Sequence, residues 1–154
     1  MMQVYRLTRR RYAGSLSGKG AALYPGRWNT VGQETIYTAT SRALALVEIL
    51  AHLPRSLIPR DFILQTIDIP DDQPIRKMEW SELPEHWDQK PAGRSSQAFG
   101  SALLEHHLLV LAPSAIVTDE WNLLINPLLD GFHHISLLRE EPFPLDTRLL
   151  QRGM

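Results

Sequence analysis

The segment TIYTATSRALALVEILAHLP, from Thr35 to Pro54, changes its hydrophobic period within two residues and so dictates a strand running directly into a helix. Thr35 to Ala39 is β-branched and aromatic, which suits a strand. Thr40 or Ser41 is placed to cap a helix from Arg42 to Leu53, and Pro54 stops it. A second strand-like run, FILQTIDI from Phe62 to Ile69, follows closely. Upstream, Gln3 to Thr8 alternates as a short strand does. Between them Gly14 to Asn29 carries Gly14, Gly18, Gly20, Pro25 and Gly26, a loop whose backbone can approach a ligand closely.

Downstream the pattern is less regular. Pro70 to Gly93 holds four prolines with Trp80 and Trp87 and reads as an irregular connection. A helix is expected from Ser95 or Ser96 to His107, with Phe99, Ala102, Leu103 and His106 at helical spacing. Short strands are expected at Leu108 to Leu111 and Ala115 to Val117, separated by Pro113, and a last one around His134 to Leu138. Short strands mixed with two or three helices, without regular strand-helix alternation, predict an α+β fold in a single domain spanning residues 1–154.

Bulk properties narrow the function. A formal net charge of -1 lacks the basic surplus that sequence-independent nucleic-acid binding requires, so no direct nucleic-acid ligand is expected. The run Arg9, Arg10, Arg11, with Arg6 nearby, reads either as a solvated edge or as a contact for phosphate or an acidic partner. With no cysteine, disulfide frameworks and thiolate chemistry are excluded. The N-terminal segment has no apolar signal core and nothing approaches the ~18 apolar residues of a membrane span, so a cytoplasmic protein is expected. The pairs His106, His107 and His133, His134 diverge in either regular structure, no HExxH spacing occurs, and no metal site is expected.

Three residues stand out chemically. Glu48 lies among Ala43 to Val47 and Ile49 to Ala51, all apolar. Its carboxylate either emerges on an exposed face beside His52, one turn on, or is held in a cleft with its environment set for catalysis. Arg27, in Gly-Arg-Trp-Asn, is either a surface residue beside Trp28 or a fork presented to phosphate or carboxylate. Tyr37 is either a core aromatic with one hydrogen bond or a ring offered for stacking.

Taken together these pieces resemble the RES domain, a bacterial toxin family named for Arg, Glu and Ser residues. The resemblance is carried by VYRL, SGKGAALYPGRWN, the block GQETIYTATSRALALVEILAHL, the block LAPSAIVTDEWNLLINPL, and F-x-x-D-x-R-L at Phe143 to Leu149. Tyr37 follows Arg27 by ten positions and Glu48 follows Tyr37 by eleven. After Asn126-Pro127 the sequence LLDGFHH departs from the family continuation. The resemblance implies an ADP-ribosyltransferase-like or diphtheria-toxin-like fold with small mixed β-sheets. It implies NAD as substrate, with no true cofactor, and an Xre-type antitoxin as partner.

Carried over by position, the family residues fall on Arg27, Tyr37, Glu48 and Ser114, with Ser136 the other candidate for the serine. Asn126, and Asn122 in the same segment, are expected to shape the pocket. In that reading Glu48 stabilises the oxocarbenium-like ribose as nicotinamide leaves and holds a ribose hydroxyl. Arg27 anchors a pyrophosphate or ribose oxygen, Tyr37 stacks on nicotinamide or borders its slot, and Ser114 bonds the carboxamide or orients Glu48. The acceptor is left open: water, inorganic phosphate or a protein side chain. Two other functions compete, a protein ADP-ribosyltransferase and a non-catalytic binding module in which Arg27 and Glu48 form a structural ion pair.

Overall fold

The computed structural model describes residues 2–150. Strands β1 (Met2–Arg9), β2 (Ile36–Ala39), β3 (Phe62–Ile69), β4 (Arg76–Lys77), β5 (Leu109–Pro113), β6 (Trp121–Ile125) and β7 (Ser136–Pro142) alternate irregularly with helices α1 (Lys19–Leu23), α2 (Arg42–His52) and α3 (Arg94–Leu104). All seven strands join one sheet in the order β4-β5-β6-β2-β1-β3-β7. The β4-β5 pair is parallel and the other pairs are antiparallel. The α+β class expected from the sequence is the one observed, with the strands gathered into a single mixed sheet.

Its ladders are unequal. β1 pairs with β3 over eight positions, from Met2↔Ile69 to Arg9↔Phe62, and β2 pairs with β6 over four. β1 and β2 share only the pair Tyr5↔Ala39. The sheet therefore has a seam between β1 and β2, and strands diverging from one shared rung leave space for a cleft.

Helix α2 forms where the period change predicts it. Ser41, not Thr40, is its cap, accepting from the Leu44 amide at 3.0 Å, while the Thr40 hydroxyl donates to the Trp121 carbonyl. Leu44 and Ala45 pack on Leu7, Ala39, Phe62 and Leu64. Helix α3 packs Leu104 against Val110, Ala112, Leu124 and Trp28. The opposite face of the sheet buries Val4, Ile36, Ile67, Leu109, Leu123 and Ile125 together. Where α3 crosses the Gly26–Asn29 loop, Gly100 leaves room for backbone: a Cβ there would lie 2.1 Å from the Trp28 carbonyl oxygen.

Several expectations need correction. Ala115 to Val117 is not a strand, because the Ser114 hydroxyl accepts from the amides of Ile116 and Val117, both at 3.1 Å, and turns the chain out of the sheet. The strand of that region is β6, which begins at Trp121. The last strand begins at Ser136 rather than His134, since Gly131, at φ 96°, starts a 3-10 turn over Phe132–His134. The helix expected to reach His107 stops at Leu104. Within Pro70 to Gly93, β4 adds a short parallel rung, and Arg76 pairs with Glu82 at 2.7 Å. Arg9 pairs with Asp61 at 2.6 Å while Arg10 and Arg11 stay exposed. Among the described residues no helix is long and apolar enough to cross a membrane.

Candidate functional site

The space opened at the β1-β2 seam is a cavity of about 610 Å³, within the range of small-molecule sites. β1 lines it with Arg6, β2 with Tyr37, α2 with Glu48 and His52, β6 with Asn122, and the loop after α1 with Tyr24 to Trp28. Residues distant in sequence thus converge because the seam faces both the Ala45–His52 stretch of α2 and the glycine-rich loop.

Glu48, in the second half of α2, faces this cavity rather than an exposed helix surface. Its side chain is 20% exposed. Oε1 accepts from the Ser114 hydroxyl at 2.7 Å and from Asn122 Nδ2 at 2.9 Å, and Oε2 lies 3.7 Å from His52 Nε2 one helical turn on. Burial pushes the carboxyl upward, but the nearby His52 ring and the Asn122 and Ser114 hydrogen bonds outweigh it, so Glu48 titrates below the ordinary glutamate value. The group is a carboxylate at neutral pH. Ser114, buried to 5% exposure, reaches it from the end of β5.

Arg27 is brought within electrostatic reach of Glu48 but does not bond to it. It donates to the carbonyls of Trp87 and Gln89 at 2.7 and 2.8 Å. Burial lowers its pKa, while Glu48 and Asp88 partly restore it, which leaves a permanent cation beside the cleft. The loop that presents it is built around Asn29, fully buried, whose amide donates to the carbonyls of Ala21, Thr30 and Gln33 and whose Oδ1 accepts from the Gly26 amide at 2.9 Å.

Tyr37 completes that loop. Its hydroxyl donates to Asn29 Oδ1 and accepts from the Trp28 amide at 3.1 Å, and burial raises its pKa beyond any physiological range. Gly26 lies against the ring: a Cβ there would sit 2.8 Å from the Tyr37 oxygen. The ring borders the cavity while the hydroxyl is committed to holding the Arg27 loop.

Two sequence-based assignments fall outside the site. Asn126 does not line the cavity; it is 3% exposed, donates to the Leu104 carbonyl at 2.7 Å and accepts from the Leu128 amide at 3.0 Å. Its role is to tie the C-terminus of α3 to the turn after β6. Asn126→Ala should accordingly lower unfolding stability by roughly 1–3 kcal/mol, through unpaired backbone groups, without changing turnover per folded molecule. Denaturant melts beside active-site-normalised rates check this. Ser136, on β7, pairs with Asp68 of β3, has β3 and β1 between it and the seam, and is exposed.

Arg6 is the cleft residue that the sequence reading left with the basic run. It lines the cavity, its Nη1 lies 3.4 Å from Gln65 Oε1, and burial lowers its pKa. The signal was available: Arg6 alternates with Val4 and Thr8, both buried, so strand geometry turns a cation inward. Among the described residues no group of three or more His, Asp or Glu side chains is arranged to hold a metal.

The sequence profile of the RES domain matches residues 3–146. A Photorhabdus laumondii protein named "Toxin Res" is 38% identical over 97% of this chain and 98% of its own length. A Sphingobium protein named "Prs ADP-ribosylating toxin" is 39% identical over 92% and 90%. A chain in the crystal structure of the M. tuberculosis MbcT-MbcA toxin-antitoxin complex superposes with a TM-score of 0.73 at 24% identity, covering 97% of this chain and 87% of that one. At that identity the likeness carries the fold.

Proposed function

We propose that this chain, since it belongs to the RES domain family, is a toxin that consumes NAD by breaking the bond between nicotinamide and ribose. The observation that carries the reading is the ionised Glu48, fixed through one oxygen by Ser114 and Asn122 inside a cavity that also holds Arg6 and Arg27. One carboxylate and two arginines lining the same cavity suit a ligand that is anionic along its length and becomes cationic at one carbon.

In this mechanism the C1′–N bond breaks with its electron pair leaving on the nicotinamide nitrogen, which departs as a neutral base. Glu48 stabilises the positive charge left on the ribose and holds a ribose hydroxyl, an interaction that strengthens as the ring flattens. Arg27 and Arg6 hold the pyrophosphate. The Tyr37 ring borders the nicotinamide slot, and Ser114 acts by orienting Glu48, since its hydroxyl proton is already given to that carboxylate. The acceptor that captures the ribose is water or inorganic phosphate, which gives depletion of NAD rather than a modified protein.

The name of the Sphingobium relative favours a second reading, transfer of ADP-ribose to a protein. The ion pair assumed by the binding-module reading is not formed, since Arg27 is bonded to backbone carbonyls rather than to Glu48. By analogy with the MbcT-MbcA toxin-antitoxin complex the partner that restrains the toxin is an antitoxin, and the family resemblance makes it one of the Xre type.

Incubating the purified protein with NAD, with and without phosphate, and identifying the products tests the proposal. Nicotinamide with ADP-ribose or its 1″-phosphate supports it; NAD left intact sinks it. Labelled NAD incorporated into protein would select the second reading. Arg27→Ala should lower kcat/KM about 10- to 100-fold, the loss of one charge-assisted contact to phosphate, and steady-state kinetics across NAD concentrations measures it.

A further inference from the structure

We propose that Asn122 is a positioning residue for Glu48: together with Ser114 it clamps one carboxylate oxygen against the sheet and so presents the other to the cleft. This deepens the role given to Glu48 above and, in its kinetic part, rests on that reading.

Asn122 is out of place for a strand-former. It lies in β6, which has a neighbour on each side, and asparagine is disfavoured in such strands. Leu123, Leu124 and Ile125, which follow it, are fully buried apolar residues. Its cross-strand partners are Ala39 on β2 and Ala112 on β5. Two methyl groups flanking one amide leave room above the sheet, and the Glu48 carboxylate from α2 enters that room.

The amide is half used. Nδ2 donates to Glu48 Oε1 at 2.9 Å, the oxygen that also accepts from the Ser114 hydroxyl at 2.7 Å. Oδ1 is buried and has no hydrogen-bond partner among the described residues. A buried acceptor without a protein partner tends to destabilise the fold, so packing alone gives no reason for an amide here. The donor half supplies the reason. The terminal torsion of a glutamate is otherwise broad; two donors converging on Oε1 from β5 and β6 fix it and direct Oε2 toward His52 and the cavity.

Asn122→Leu keeps the branching at Cγ and removes both the donor and the orphaned acceptor. Asn122→Asp keeps the shape but replaces the donor with a second carboxylate. The other titratable groups of the cleft, His52 on the same helix as Glu48, Tyr24 and Arg27 on the loop after α1, Tyr5 and Arg6 on β1 and Tyr37 on β2, stay as they are. For the leucine variant we expect a melting temperature at or above that of the wild type, kcat for NAD cleavage down about 10²-fold and KM nearly unchanged. The Glu48 carboxyl carbon, followed by 13C NMR, should titrate at higher pH than in the wild type, and further upward in the aspartate variant as like charges meet. Parallel loss of stability and activity in the leucine variant would show an ordinary structural residue and overturn the inference, as would unchanged kcat and an unchanged Glu48 titration. If the wild type leaves NAD intact, the proposed function fails on its own account, and the Glu48 titration with the melting temperatures still decides whether Asn122 positions the carboxylate.

Discussion

Glu48→Gln should fold like the parent chain and lose NAD cleavage by about 10³-fold, the scale of removing a preorganised charge from a reacting centre. The amide keeps the carboxylate's shape, and its oxygen still accepts from Ser114 and Asn122, whose hydrogens point at Oε1. That anchoring turns the NH2 end of the glutamine toward the cleft. A positive dipole end then faces a carbon that becomes positive, so the substitution opposes the reaction as well as removing its stabiliser. Nicotinamide release, measured beside a thermal melt, checks both halves; cleavage at the parental rate would refute the assignment of Glu48.

The pH dependence follows from the same geometry. Glu48 titrates below the ordinary glutamate value because the His52, Asn122 and Ser114 contacts outweigh its burial. A depressed carboxyl contributes stability that is complete above its unfolded value and is lost as pH falls through the folded one. Activity that needs the carboxylate shares that direction. The acid limb of kcat should therefore lie below the ordinary glutamate range in the parent protein.

The largest effect on folding is expected from Gly100→Ala. The new Cβ would meet the Trp28 carbonyl oxygen at 2.1 Å and the Trp28 Cβ at 2.6 Å, and neither is the end of a flexible side chain. Either α3 withdraws or the Gly26–Asn29 loop is displaced, at a cost of about 3 kcal/mol, the upper part of the range for overpacking a close contact. Displacement of that loop moves Arg27, so the folded fraction should also show a raised KM for NAD. Gly20→Ala, where a Cβ meets nothing within 4 Å on a helical residue, is the control and should be neutral or slightly stabilising. Urea unfolding of the two variants separates a steric cause from a general intolerance of glycine replacement.

How much of this was legible differs by element. Helix α2 could be read because its cap, its apolar period and Pro54 agree. β6 could not, since WNLLI is a short apolar run without alternation, and the turn that precedes it depends on the Ser114 hydroxyl bonding two amides ahead. The same limit misdirected the asparagine. Asn122 and Asn126 have the same parity in an extended chain, but β6 ends at Ile125, so Asn126 leaves the sheet and caps a turn while Asn122 stays under Glu48. Arg6 was hidden by its neighbours Arg9 to Arg11, which made a buried cation look like part of a surface run. The ties of Tyr37 and Asn29 required knowledge of which strand lies beneath the glycine-rich loop, and that is a tertiary fact.

The single Tyr5↔Ala39 pair between β1 and β2 has a mechanical consequence. The two halves of the sheet, one carrying Arg6 and the other Tyr37 and Asn122, are joined by one rung where neighbouring strands have four to eight. A molecule lying in the gap and touching both halves would substitute for the absent rungs, so occupancy and sheet cohesion are linked: whatever fills the cleft tightly also splints the protein. A protein that blocks this cleft would thus act as a brace as well as an inhibitor.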